Sequence, residues 1–227
     1  MSHTVHPYAH RLVTLRDWKS RWFGTDRDQF KAFLKADVLV REYLVKRLRG
    51  MYVAAIEMER SRDGLKIIIK SARPGMIIGR QGEGAAALKT DVEKVLRKNK
   101  QSTRNLKIDI EEVRYPETNA AIVGQMIAEG LERRMPFRRV LKQTMEKVMM
   151  TRSVKGARFF ISGRLGGAEM ARQETIKRGM VPLQTIRADI DFARVRANLP
   201  YGVIGIKVWI NKGEVFDEAK KEAEHAK

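Results

Sequence analysis

The tetrapeptide Gly79-Arg80-Gln81-Gly82, together with the segments on either side of it, constrains the fold of this chain more than any other feature. Its two glycines allow backbone conformations that other residues avoid, and they place no Cβ between the backbone and a ligand. A short apolar segment begins at Pro74 before it, and a longer segment with helical spacing begins at about Gly84 after it. Because helix N-termini attract anions, the tetrapeptide predicts a turn between two helices that can approach a phosphate group.

The segments around this turn follow a definite order. Residues 27–48 have apolar positions at helical spacing, and the strand-like runs 52–60 and 65–71 are joined by Arg62-Asp63-Gly64, a good hairpin signal. Residues 106–111 then alternate apolar and charged side chains, as in a half-buried strand. The order helix, strand, strand, helix, GXXG, helix, strand is that of a type II KH domain, whose GXXG loop clamps RNA nucleotides. The predicted RNA-binding loop consists of Ile78, Gly79, Arg80, Gln81 and Gly82.

The same glycines permit other interpretations. Gly82-Glu83-Gly84-Ala85-Ala86-Ala87 imitates the dinucleotide-binding fingerprint, but that motif requires a βαβ unit with an acidic ribose contact. A P-loop is excluded because the sequence contains no G-x-x-x-x-G-K-[ST] motif. A simple tight turn is the remaining alternative. In an RNA-binding loop, Arg80 would supply charge while Ile77 and Ile78 line an apolar groove for bases.

The residues beyond Pro116 predict a second domain. Two helical segments span 118–134 and 136–151, and Pro136 suits the first position of the second helix. The strand-like runs that follow are 157–161, 186–192 and 203–210. We therefore predict an α+β fold, in which an N-terminal type II KH domain precedes a domain of two helices and a four-stranded mixed or antiparallel sheet.

We divide the chain into an N-terminal extension (1–16), a type II KH RNA-binding domain (17–115), an α+β domain (116–212) and a charged tail (213–227) that we expect to be disordered. The tail carries more acidic than basic side chains, whereas the 227 residues together have a formal net charge of +19. The positive charge therefore belongs to the folded part of the chain. Such an excess indicates a polyanion as partner.

Several classes of protein are disfavoured by what the sequence lacks. It contains no cysteine, which excludes disulfides, thiolate metal sites and a thiol nucleophile. It has no run of about 18 apolar residues, and its first residues lack the hydrophobic centre of a signal peptide. We expect a soluble, cytoplasmic protein that uses no membrane segment, cofactor or small-molecule substrate.

The helix that begins near Pro136 is the second candidate RNA-binding element. At about 100° per residue, Arg138, Arg139 and Lys142 share one arc beside an apolar arc that includes Phe137 and Leu141. One side would pack while the other presents cations, although a merely solvated face is the alternative. Further candidate RNA contacts lie just before this helix and in a glycine-rich strand exit: Arg133, Arg134, Arg164, Gly166, Gly167 and Arg172. The alternative for those glycines is that they only satisfy positive φ angles.

Two groups of residues are weak candidates for binding a metal ion. His3, His6 and His10 lie in a terminus that we expect to be mobile, without acidic or thiol partners, so we predict no metal site there. Asp189 and Asp191 form a D-x-D pair that would suit Mg²⁺ in a nuclease. We interpret them instead as the polar face of an alternating strand, because no neighbouring His or Glu constellation supports hydrolysis.

With these features assembled, the chain resembles the family of ribosomal small-subunit protein three in its bacterial form. The order and spacing of the matching segments make coincidence implausible. They are Val5-His6-Pro7, Trp22-Phe23, Ala72-Arg73-Pro74-Gly75 with Ile78-Gly79, Leu131-Glu132-Arg133-Arg134, Phe137-Arg138-Arg139, Ser162 to Arg172, Arg187-Ala188-Asp189-Ile190-Asp191 and Tyr201-Gly202-Val203-Ile204-Gly205.

The resemblance implies a structural, non-enzymatic protein that binds small-subunit rRNA in the subunit head beside ribosomal proteins ten and fourteen. It also implies a place at the mRNA entry channel with proteins four and five. There Arg138, Arg139 and Lys142 would grip incoming mRNA and aid the unwinding of its duplexes. This chain departs from the family where Arg80-Gln81 replaces the Lys-Lys often found in the loop, and in its acidic tail.

Two alternatives to a ribosomal protein stay open at the level of sequence. The first is a free-standing KH regulator or assembly factor, and the second is a Mg²⁺ nuclease that uses Asp189 and Asp191. The residues after 115 favour the ribosomal interpretation, since free-standing KH proteins would not share them.

Overall fold

The computed structural model describes residues 5–12, 14–61, 64–99 and 105–216. The chain forms two compact units, of which one is Trp18–Arg114 and the other joins Met1–Asp17 to Tyr115–Lys227. None of the helices in these described ranges combines the length and the apolar character that a membrane span requires.

The first unit has the predicted order of a type II KH domain, with one short additional strand. Its elements are β1 (Ser20–Arg21), α1 (Arg27–Arg47), β2 (Val53–Arg60), β3 (Leu65–Ser71), α2 (Pro74–Ile78), α3 (Glu83–Lys98) and β4 (Lys107–Glu112). The sheet order is β1-β2-β3-β4, in which β2 and β3 are antiparallel and the two outer pairs are parallel. The predicted hairpin is present, because Arg60 pairs with Leu65, although Arg62 and Asp63 lie outside the described residues.

Apolar periodicity places the core of this unit between the sheet and its helices. Leu65, Ile67 and Ile69 of β3 pack with buried residues four apart on α3, and Ile68 between them is buried as well. The core includes Val40, Leu44, Met58, Ile67, Ile69, Leu88, Val92 and Leu96.

The opposite face of the KH sheet carries ion pairs. The Glu57 carboxylate lies 2.8 Å from both Arg21 Nη2 and Lys70 Nζ, and Lys66 Nζ lies 2.9 Å from Asp109 Oδ2. The basic side chains of this face are therefore largely neutralised by carboxylates of neighbouring strands.

The second unit confirms the α+β prediction, and its sheet is entirely antiparallel. Its elements are α4 (Ala120–Glu132), α5 (Phe137–Met150), β5 (Gly156–Gly163), β6 (Arg172–Gly179), β7 (Ala188–Leu199) and β8 (Gly202–Glu214), with the sheet order β6-β5-β8-β7. Both helices pack on one face of the sheet around Phe159, Ile161, Ile206 and Val208.

Three local expectations for this unit are corrected. Only three strands of the predicted four-stranded sheet were located from the sequence, and the fourth is β6, whose residues are mostly charged or polar. Pro136 occupies the N-cap of α5, one residue before the predicted position. Strand β8 continues through Glu214, two residues into the predicted tail, while residues 217–227 lie outside the described part of the chain.

The N-terminal extension packs against the second unit, contrary to the expectation of a mobile terminus for its described residues. Arg11 is fully buried, and its guanidinium donates to the backbone carbonyls of Ala188 (2.7 Å), Thr185 (2.8 Å) and Leu183 (3.0 Å). The His6 ring lies edge-on to Phe192, with 4.7 Å between ring centroids. A buried guanidinium that donates to several carbonyls fixes the extension to the segment before β7, because each unmade bond would leave a polar group unpaired.

Candidate nucleic-acid interface

The GXXG loop forms a tight connection between α2 and α3. Gly79 has φ 72° and ψ −174°, and a single 3₁₀ turn, Arg80–Gly82, leads directly into α3. Gln81 and Gly82 also have positive φ, at 51° and 83°. The backbone therefore adopts conformations that favour glycine, and it leaves the side chains of Arg80 and Gln81 exposed.

Gly84 lies outside the tetrapeptide, yet the tight connection depends on it. A Cβ at Gly84 would lie 2.5 Å from the Ile77 carbonyl oxygen and 2.9 Å from that of Ile78. A Cβ at Gly82, by contrast, would meet no atom within 4 Å. The first turn of α3 thus rests on the last carbonyls of α2, whereas the backbone at Gly82 is open for the approach of a phosphate.

The apolar surface beside the loop differs from the predicted one. Ile77 is only 2% exposed and belongs to the core, so the expectation that it lines a groove is wrong. Ile78 is 38% exposed and Met76 is 53% exposed. These two side chains provide the apolar surface next to Arg80.

Helix α5 has the two faces that its sequence indicates. Val140, Leu141, Met145 and Val148 are buried in the core of the second unit. The side chains of Arg138, Arg139 and Lys142 are exposed on the other side. Burial of the apolar side fixes the rotation of the helix and leaves the cations toward solvent.

Phe137 brings two separately predicted groups of residues together. The guanidinium carbons of Arg138 and Arg172 lie 5.5 Å and 5.2 Å from the centroid of its ring. Arg138 Nε also lies 3.2 Å from Glu174 Oε1 on β6, although the Arg138 side chain is 66% exposed. The basic face of α5 therefore continues onto the start of β6, which the sequence alone did not indicate.

The remaining candidates of the glycine-rich exit have local partners. Arg164 donates to the carbonyls of Ala168 (2.8 Å) and Tyr201 (3.3 Å), which holds the turn against the start of β8. Gly166 and Gly167 have φ 69° and 81°, and a Cβ at Gly166 would meet nothing within 4 Å. Positive φ is thus sufficient to explain both glycines.

The two arginines that follow α4 differ from each other. Arg133 pairs with Glu129 one turn earlier, and its side chain is 71% exposed. Arg134 is exposed with φ 59°, a conformation that ends the helix.

The interpretation of Asp191 as part of the polar face of an alternating strand is wrong, because its side chain is buried and hydrogen-bonded. One carboxylate oxygen accepts from the amide of Ala120, the first residue of α4, at 2.9 Å, while the other accepts from the Tyr8 hydroxyl; the N-cap of α4 is Asn119. Arg16 Nη2 lies 2.7 Å from Asp189 Oδ1 and 3.7 Å from Asp191 Oδ1. Burial and the adjacent Asp191 carboxylate raise the pKa of the Tyr8 phenol above its usual range.

These contacts give the D-x-D pair a structural task, which is to fix the N-terminal extension beside the start of α4. Across the described ranges, no group of three or more His, Asp or Glu side chains is arranged to hold a metal ion. His3 lies outside those ranges.

The fold and the loop define the class of the protein, an RNA-binding protein built on a type II KH domain. A KH domain family pattern matches residues 39–118, and the pattern described as "Ribosomal protein S3, C-terminal domain" matches residues 127–210. Most of the first match lies in the first compact unit, and the second match lies in the second unit.

Whole-chain relatives identify the family. The chain is 41% identical to small ribosomal subunit protein uS3 of Caldicellulosiruptor saccharolyticus, over 99% of this chain and 98% of the relative. It is 46% identical to uS3 of Clostridioides difficile over 95% of this chain and 77% of the relative. It is also 45% identical to uS3 of Coxiella burnetii over 100% of this chain and 96% of the relative. The chain belongs to the uS3 family of small ribosomal subunit proteins.

Proposed function

We propose that this chain is a structural, non-enzymatic component of the small ribosomal subunit, where it binds rRNA in the subunit head and helps to form the mRNA entry channel. The observation that supports a role in the mRNA entry channel is the geometry of α5. Its buried side fixes Arg138, Arg139 and Lys142 as an exposed cationic row, which Arg172 extends.

The action of this row is electrostatic. Exposed cations on a rigid helix attract the phosphates of a single strand without reading its bases, because every nucleotide carries the same charge. A strand held in this way resists re-pairing while translocation supplies the force. The row thereby aids the unwinding of mRNA duplexes at the entry.

The KH loop is a second point of RNA attachment. The exposed Arg80 supplies charge, and the open backbone at Gly82 allows close approach of a phosphate. The family resemblance implies further contacts with ribosomal proteins ten and fourteen, and with proteins four and five near the mRNA entry.

Sedimentation tests the ribosomal assignment. We expect the protein to co-migrate with small subunits through a high-salt wash, since an assembled component is held by many simultaneous contacts. If it were found only in free fractions, the ribosomal role would be wrong and a free-standing KH regulator or assembly factor would take its place.

Reversing the charge of the KH loop is expected to weaken RNA binding by the full-length chain. The variant Arg80→Asp with Gln81→Asp places two carboxylates where phosphate would lie, and about tenfold weaker binding of a single-stranded oligonucleotide should follow. Fluorescence anisotropy measures this affinity. Both side chains are exposed, so the unfolding midpoint should stay unchanged.

A charge-matched control comes from α1. The variant Arg47→Asp with Gln29→Asp changes the net charge by the same amount at two exposed positions. Equal loss of affinity in both variants would show that overall charge, rather than the loop, determines binding.

A further inference from the structure

The face of the C-terminal sheet that is turned away from α4 and α5 carries a regular array of cations. Strand pairing aligns its side chains in three rows across β6, β5, β8 and β7. The rows are Lys177, Arg158, Trp209 and Phe192; then Thr175, Phe160, Lys207 and Arg194; then Gln173, Ser162, Gly205 and Arg196. We call these residues the open sheet face.

Three of the five cations lie over aromatic rings of the same face. The distances to the ring centroid are 5.1 Å from Arg158 Cζ to Trp209, 5.4 Å from Arg194 Cζ to Phe192 and 5.3 Å from Lys207 Nζ to Phe160. Such cation–π contacts hold the stems against the sheet while the charge remains at the surface. The positions of the charges are therefore fixed by the sheet.

The open sheet face contains no carboxylate, although the rest of the chain uses carboxylates freely. None of its five cations lies within 4.0 Å of an Asp or Glu oxygen among the described residues. The outer face of the KH sheet shows the contrast, because there Lys70 and Arg21 share Glu57. A surface that only needed to be solvated would have no reason to exclude acidic residues so completely.

This arrangement has a cost for the free protein. Arg158 on β5 is paired with Lys177 on the adjacent strand β6. In the same way, Lys207 on β8 is paired with Arg194 on β7. Like charges at directly opposite positions destabilise a sheet. A polyanion that covers the face would reverse this repulsion.

We propose that the open sheet face is a third RNA-binding surface, separate from the KH loop and from α5, and that it binds the phosphate backbone of structured, double-helical RNA. The shape and chemistry favour a helix over a single strand. From β6 to β7 the array spans three strand spacings, or about 14 Å. The wide, shallow minor groove of an RNA helix suits such a surface.

The aromatic residues of the face do not serve for stacking of bases. Phe192 and Trp209 are 5% and 4% exposed, and they pack with Tyr8 and Leu183. The ring of Phe160 is only partly exposed, and the ammonium group of Lys207 lies over it. With no fully exposed ring available, the face contacts RNA through phosphates, independently of sequence.

The test uses the full-length chain and two probes, an RNA hairpin with a stem of about 20 base pairs and an unstructured oligouridylate. Lys177, Arg194, Arg196 and Lys207, all exposed, are replaced together by Gln. Because each cation on a phosphate contributes about one to the salt slope, the slope for the hairpin should fall by about four, with at least tenfold weaker binding. Binding of oligouridylate should change little.

Two further variants make the result specific. The control replaces Lys35, Lys46, Arg47 and Lys98, which are exposed elsewhere, by Gln and changes the net charge equally. If it reduced hairpin binding as much as the first variant, or if the first variant left hairpin binding unchanged, the proposal would be overturned. The pair Arg194→Gln with Arg196→Gln should give about half the change in slope, and it replaces the fourfold variant if that one unfolds. Failure of the α5 row to bind oligouridylate would leave this result unaffected, since the two surfaces are tested on different probes.

Discussion

Replacement of Arg138, Arg139 and Lys142 by Ala is expected to lower the salt slope of single-stranded RNA binding by about two, because each phosphate contact on a single strand contributes about 0.7. All three side chains are exposed, so the fold should persist. The loss of the ion pair between Arg138 and Glu174 should cost less than about 1 kcal/mol of stability. Ribosomes that carry this variant should assemble and yet pass structured mRNA more slowly than unstructured mRNA.

The conservative variant distinguishes charge from shape. Arg138→Lys with Arg139→Lys keeps both charges, and it should retain nearly the full salt slope. The change of Lys46, Arg47 and Lys98 to Ala removes three exposed cations from the KH unit and serves as the control for net charge. An unchanged slope in the α5 variant, or an equal loss in the control, would contradict a role of α5 in gripping mRNA.

Replacement of Asp191 by Ala is expected to cause the largest loss of stability, about 3 kcal/mol for the second unit, because it leaves two donors without the buried carboxylate that accepts from them. The two donors are the Ala120 amide and the Tyr8 hydroxyl. Hydrogen exchange of the Ala120 amide should accelerate about 100-fold, whereas the amides of Ala121 and Ile122, which donate to Asn119 Oδ1, should change less. Residues 5–12 should become less protected at the same time, since they lose their anchor.

Asp189→Ala is the matched control. Its side chain is 24% exposed and contacts Arg16, so the loss should be at most about 1 kcal/mol. Equal destabilisation by the two variants would contradict the special role of Asp191. Metal-dependent cleavage of RNA by the wild type, abolished by Asp189→Asn, would instead revive the nuclease hypothesis.

The KH unit illustrates what local sequence patterns predict well. The apolar run of β3 and the four-residue spacing of buried positions in α3 are each formed by residues close together in the sequence. The GXXG turn depends on glycine, whose freedom at positive φ is a local property. The order of these elements identified the domain type before any tertiary contact was considered.

Strand β6 and the N-terminal extension illustrate what such patterns miss. Strand β6 is an edge strand with little buried apolar surface, so its sequence Arg172–Gly179 reads as polar. Arg11 and Asp191 are charged residues that burial normally excludes, and only their distant partners make burial favourable. Since those partners lie far away in sequence, no local pattern predicts these contacts.

For this protein the sequence alone determined the type II KH order, the α+β character of the second unit, the cationic row of α5 and the family. Each depends on local periodicity, glycine positions or residue order. Only the tertiary structure decided that Ile77 is core, that Arg138 and Arg172 meet at Phe137, and that Asp191 joins the N-terminal extension to α4. Strand register likewise aligned five cations on the open sheet face, because cross-strand neighbours are set by pairing between segments far apart in the chain.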